Sequence, residues 1–107
     1  MLDAAETVEK FTRGVLYDRY AVDRMMQLAV EREIEIIGEA AGRVSQSFKA
    51  AHPEVPWQAM VAQRNVLAHE YGDINQDRIW LVATVRIPGL VRLLRPLIPP
   101  APTELPS

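Results

Sequence analysis

With 107 residues, of which 49% are apolar and 24% charged, the chain is the size of one domain, and a second domain is excluded. It has no cysteine, which removes disulfides, thiolate metal sites and cysteine nucleophiles together. The formal net charge of -2 supplies no global attraction for nucleic acid, so any contact with RNA or DNA has to be local.

No apolar run approaches the ~20 residues that a membrane-spanning helix needs. The acidic start, with Asp3 and Glu6, lacks the basic-then-apolar pattern of a signal peptide, so the expected location is the cytoplasm. Charge is uneven along the chain. Residues 1 to 40 hold nine acids and five bases, whereas residues 41 to 107 hold five acids and seven bases, which places anion chemistry in the second half.

In chain order, Leu2, Ala5, Val8 and Phe11 recur at helical spacing, and Gly14 is a plausible stop. Asp18 can cap a longer helix, from about Arg19 to Val44, whose apolar face carries Val22, Met25, Met26, Ala29, Ile36 and Ile37. Its other face carries Glu31, Glu33, Glu35 and Glu39 with Arg24, Arg32 and Arg43, most simply a solvated stripe of ion pairs. The stretch His52-Pro53-Glu54-Val55-Pro56-Trp57 breaks the pattern, because each proline removes a backbone donor and disfavours a helical predecessor. Trp57 opens a third helix through Met60, Val66 and Leu67, which Gly72 can close. Asp73 or Asn75 can cap a fourth, with Ile79, Trp80, Val82, Ala83 and Val85, that Pro88-Gly89 kinks before Leu90 to Leu94. The fold class is therefore all-α, an antiparallel bundle of four to five helices over residues 1–95, followed by a proline-rich tail over 96–107.

The chemistry concentrates in Arg64-Asn65-Val66-Leu67-Ala68-His69-Glu70-Tyr71. At ~100° per residue, Arg64 and Tyr71 share one helix face, Asn65 and His69 share a neighbouring one, and Arg64 and His69 lie ~140° apart. One copy makes an imperfect site, but two copies across a two-fold axis pool two arginines and two histidines in one cleft. Such a set can cut RNA without a metal, since the ribose 2′-hydroxyl already supplies the nucleophile. An imidazole, with a reference pKa near ~6.5, can serve as general base or general acid. The Arg64 guanidinium can hold phosphate oxygens and stabilise the pentacoordinate transition state, and Asn65 can orient the imidazole or a phosphate oxygen. Plainer roles exist for each. Arg64 can pair with Glu54 or Glu70, His69 can offset the helix dipole, Tyr71 can pack in the core, His52 can be a solvated loop residue, and Met25, Met26 and Met60 can be packing.

The same eight residues resemble the R-x4-H-x-Y motif of the HepT-type toxins in the HEPN ribonuclease superfamily. The resemblance runs from about Val15 to Leu94, through Tyr20-Ala21-Val22, Ala29-Val30-Glu31-Arg32, Ile36-Ile37-Gly38-Glu39-Ala40, the His52–Trp57 stretch and the helix after Asp73. It implies a HEPN-like helical homodimer with a composite, metal-independent ribonuclease site that needs no cofactor, in which Arg64 and His69 are catalytic and Asn65 supports them. It further implies a type VII toxin-antitoxin system, whose partner, a nucleotidyltransferase antitoxin of the MntA type, transfers AMP from ATP to the motif tyrosine, here Tyr71. The proline-rich end and the scarcity of lysine depart from the family pattern. Two other readings are an inert helical module that only binds a nucleotidyltransferase, and a generic helix-bundle adaptor.

Overall fold

The computed structural model describes residues 1–69 and 74–98, and no strand occurs among them. The chain forms α1 (Leu2–Thr12), α2 (Tyr17–Tyr20), α3 (Arg24–Arg43), α4 (Gln46–Ala51), α5 (Trp57–His69), α6 (Gln76–Leu81) and α7 (Ile87–Leu94). A π-turn over Val82–Arg86 joins α6 to α7 without a break, so the described residues make four long helical stretches and two short ones, α2 and α4. None is long and apolar enough to cross a membrane.

Helix α3 is central. It packs against α5 on one side and α1 on another, and α1 in turn packs against α7. The core between them holds Ala5 and Val8 of α1, Val30, Ile34, Ile37 and Ala41 of α3, and Leu90, Val91 and Leu94 of α7. In α1 the expected Ala5 and Val8 are buried and Leu2 packs on the core, but the buried face continues through Ala4 and Thr12 and not through Phe11, which is 38% exposed. Two alanines let α1 approach α3 closely, and the Thr12 hydroxyl stays satisfied by donating to the Val8 carbonyl. Gly14 ends this helical stretch with a φ of +72°, a left-handed conformation that glycine adopts without steric cost.

The long helix starts later than Asp18. Asp18 lies in the first turn of α2, and the cap of α3 is Asp23, whose carboxylate accepts from the Met26 backbone N–H at 3.0 Å. Gln27 braces the break by donating to the carbonyls of Tyr20, which also accepts the Asp23 N–H, and Ala21. The break also turns Val22 and Met25 out to solvent, each 82% exposed, so neither packs in the core, whereas Met26 and Met60 do.

Three further elements refine the sequence expectation. Ser45 caps the extra helix α4 by accepting from the Phe48 N–H. Asn75 caps α6, accepting from the Arg78 N–H at 3.2 Å, while Gly72 and Asp73 lie outside the described residues. Pro88 sits in the first turn of α7. Its missing N–H is absorbed one turn earlier, where the Ile87 N–H donates to the Val82 carbonyl in the wider π pattern. The tail begins as a 3-10 turn over Arg95–Leu97, and residues 99–107 are not described.

Candidate active site

Helix α5 buries Trp57, Met60 and Leu67, and the three- and four-residue steps between them leave one vacancy in the stripe, filled by Arg64. A permanent cation thus stands where an apolar residue would ordinarily pack against α3. Gly38 makes room for it. A Cβ at Gly38 would overlap the Arg64 Cβ and lie 2.7 Å from the Met60 carbonyl oxygen, so the two helices touch backbone to backbone at this point. The aliphatic stem of Arg64 runs over that contact, in the manner of long cationic side chains that bury their methylenes and extend their heads.

The guanidinium is only partly satisfied. Its Nη1 donates to the Asn65 side-chain oxygen at 3.2 Å, so Asn65 holds the arginine head from the next position on the helix. Its Nε is shielded from solvent and has no acceptor among the described residues, and the Gln63 amide nitrogen is in the same condition. Buried donors without acceptors cost roughly 1–3 kcal/mol each, which favours an incoming anion or a carbonyl from a partner. Among the described residues no carboxylate lies within 4 Å of Arg64. Glu54 faces His52 Nδ1 at 3.5 Å instead, and Glu39, next to Gly38 in sequence, faces Arg32 at 3.8 Å.

His69 is the last residue of α5. Its side chain, together with Glu70 and Tyr71, lies outside the described residues. His52 is more than a solvated loop residue. Its ring packs at a tilt against Phe48, with centroids 4.5 Å apart, and its carbonyl accepts from Trp57 Nε1 at 3.0 Å, which ties α4 to the start of α5.

The far end of the α5–α6 connection is held by a polar network. Tyr20 donates to the Gln76 side-chain oxygen at 2.5 Å, and Gln76 donates to Glu31 at 2.7 Å. Glu31 also faces Arg24 at 3.5 Å and is only 6% exposed, so it does not belong to the solvated stripe, unlike Glu35 and Glu39, which pair with Arg32. Burial, and then the Glu31 carboxylate, push the Tyr20 phenol well above its ordinary range. The Tyr17 phenol is raised chiefly by its hydrogen bond to Asp77.

Two grooves flank α5. One, of about 1170 Å³, separates α5 from the α6–α7 stretch, with Ile34 and Ile37 as floor and Val66, Leu81 and Val85 on its walls. The other, of about 890 Å³, runs between α4 and α5 and includes Asn65. Neither groove nor the role of Gly38 was legible beforehand. A glycine inside a helical pattern is the one sequence signal that could have pointed to this close approach.

Comparison with known proteins places these features in context. The family model described as "Ribonuclease HepT-like" matches residues 1–97. A protein of Thermococcus cleftensis named as a probable ribonuclease HepT is 38% identical over 88 residues, covering 82% of this chain and 80% of that one. A protein of Methanocaldococcus jannaschii named as a candidate RNase is 35% identical over 90 residues, covering 84% of this chain and 83% of that one. Another, from Caldanaerobacter subterraneus, is 29% identical over 98 residues, with 92% and 88% covered. No solved structure matches.

Proposed function

This chain belongs to the HepT-like ribonuclease family, and on that premise we propose that it is a metal-independent endoribonuclease whose site is completed by a second copy of the chain. The observation that carries this reading is Arg64: a guanidinium at a core-facing position, braced by Asn65, with neither a carboxylate nor an acceptor for its shielded Nε among the described residues. An RNA phosphate supplies the missing acceptor and the missing negative charge.

In the reaction, the ribose 2′-oxygen attacks the adjacent phosphorus and the 5′-oxygen leaves, giving a 2′,3′-cyclic phosphate. One His69 takes the 2′-hydroxyl proton, and the His69 of the second copy donates a proton to the departing 5′-oxygen. The Arg64 groups stabilise the charge that builds on the phosphoryl oxygens. The second copy is assigned to the larger groove, because α5 itself forms one wall through Ala59, Ala62 and Val66, and because Leu81 and Val85 there are 49% and 60% exposed. A copy seated in it lies alongside the helix that ends in His69.

The biological role follows the same chemistry. The protein acts in the cytoplasm as the toxin of a type VII toxin-antitoxin system, and a nucleotidyltransferase antitoxin silences it. The Tyr71 phenol oxygen attacks the α-phosphorus of ATP, pyrophosphate leaves, and the attached AMP fills the anion site and repels RNA.

The test is cleavage of single-stranded RNA by the purified protein in EDTA. Wild type should leave a cyclic phosphate with a bell-shaped pH profile, and His69→Ala should lose about a hundredfold or more. Full activity in His69→Ala would overturn the mechanism. Co-expression with the neighbouring transferase should add the mass of AMP to the wild type and not to Tyr71→Phe.

A further inference from the structure

We propose that the groove between α4 and α5 is the track for the single-stranded RNA that flanks the scissile phosphate, with Lys49 as its phosphate contact. The inference rests on the ribonuclease reading and adds a subsite to it. The groove is continuous with the site, because Asn65, which holds the Arg64 guanidinium, is one of its lining residues. Among the described residues its polar lining is Gln46, Lys49, Gln58 and Asn65: one cation, three amides and no carboxylate. In a chain with fourteen acids and twelve bases, a described lining without an acid beside a cationic site is a local inversion of the overall charge. The larger groove differs, since Asp77 stands in it with Arg78 and Arg86.

The rest of the lining suits an unpaired strand. Pro53, Pro56, Trp57 and Val61 offer apolar surface to base faces, and the amides offer donors and acceptors that any base edge can meet. The walls are rigid. The bond from Trp57 Nε1 to the His52 carbonyl, and the Phe48 ring set against both His52 and Trp57, fix α4 relative to α5. A strand leaving the Arg64 phosphate therefore meets a preformed channel with Lys49 on its α4 side.

The experiment compares the whole protein with Lys49→Glu, and with Lys10→Glu, which makes the same charge change on α1 outside both grooves. The probes are a mixed-sequence RNA oligonucleotide, its uncleavable 2′-O-methyl counterpart, and a dinucleotide. Lys49→Glu should weaken binding of the 2′-O-methyl strand about tenfold and lower the salt slope of that binding by about 1. It should raise KM for the oligonucleotide more than it lowers kcat, and reduce the preference for oligonucleotide over dinucleotide by a similar factor. Lys10→Glu should leave that preference at the wild-type value. Unchanged affinity in Lys49→Glu, or an equal loss on both substrate lengths, overturns the track and gives the groove to another occupant. A protein that binds the strand through Lys49 yet cuts no RNA keeps the track and overturns the ribonuclease reading instead.

Discussion

The two ends of α3 meet their neighbours by opposite means. At the N-terminal end, Arg24, Gln27 and Glu31 join Tyr20 and Gln76 in a network of polar contacts. At the C-terminal end, Gly38 lets α5 touch the backbone, and two polar atoms gathered there, Gln63 Nε2 and Arg64 Nε, have no partner among the described residues. A satisfied buried network rigidifies and specifies one arrangement, whereas an unsatisfied one stores a demand that a ligand can meet. On the function proposed above, the difference separates a stabilising end of one helix from a functional one.

That separation can be broken by experiment. The largest effect is expected at the functional end, where Arg64→Lys should lower RNA cleavage about a hundredfold, since a point charge cannot reproduce the planar fork. Its urea midpoint should stay close to wild type, and a large fall would make Arg64 a structural residue. At the other end, Gln76→Ala leaves Glu31 buried without its shortest hydrogen bond. A loss of about 2 kcal/mol is expected there, with cleavage per folded molecule retained.

Gly38→Ala sharpens the comparison because two effects oppose each other. Replacing a helix-interior glycine gains about 1 kcal/mol in an open site, while overpacking costs about 1–3 kcal/mol. The Met60 carbonyl is backbone and cannot swing aside, so the overlap should win, giving a net loss of about 1 kcal/mol together with reduced cleavage. Net stabilisation would show that α3 and α5 separate easily.

The smallest effect is a pH dependence at the stabilising end. The folded Tyr20 phenol titrates above its ordinary value of 10.0, so its contribution is whole below pH 10 and is lost as pH rises towards the folded value. Chemical denaturation from pH 8 to 11 should show stability falling only above about pH 10, with a flatter curve for Tyr20→Phe.

Much of this molecule was readable residue by residue. Apolar spacing located α1, α5 and the α6–α7 stretch, Gly14 closed the first helix as expected, and Asn75 capped where a short polar side chain can reach back to the helix N–H groups. The sequence placed the cap of the long helix at Asp18, whereas Asp23 caps it and Gln27 braces the break by donating to the Tyr20 and Ala21 carbonyls, a contact that no local pattern announces. Glu31 read as one more charge on a solvated stripe because its partner Gln76 lies 45 residues away. No local pattern carries such a pairing.

By itself the sequence determined the helical class and the family, since periodicity, proline placement and motif spacing are local properties of a chain. Tertiary structure alone decided that Arg64 faces α3 over Gly38, that its Nε has no acceptor among the described residues, and that α5 lies between two grooves of different lining. Burial and hydrogen bonding depend on which distant residues arrive at the same place, and spacing along a chain does not encode that.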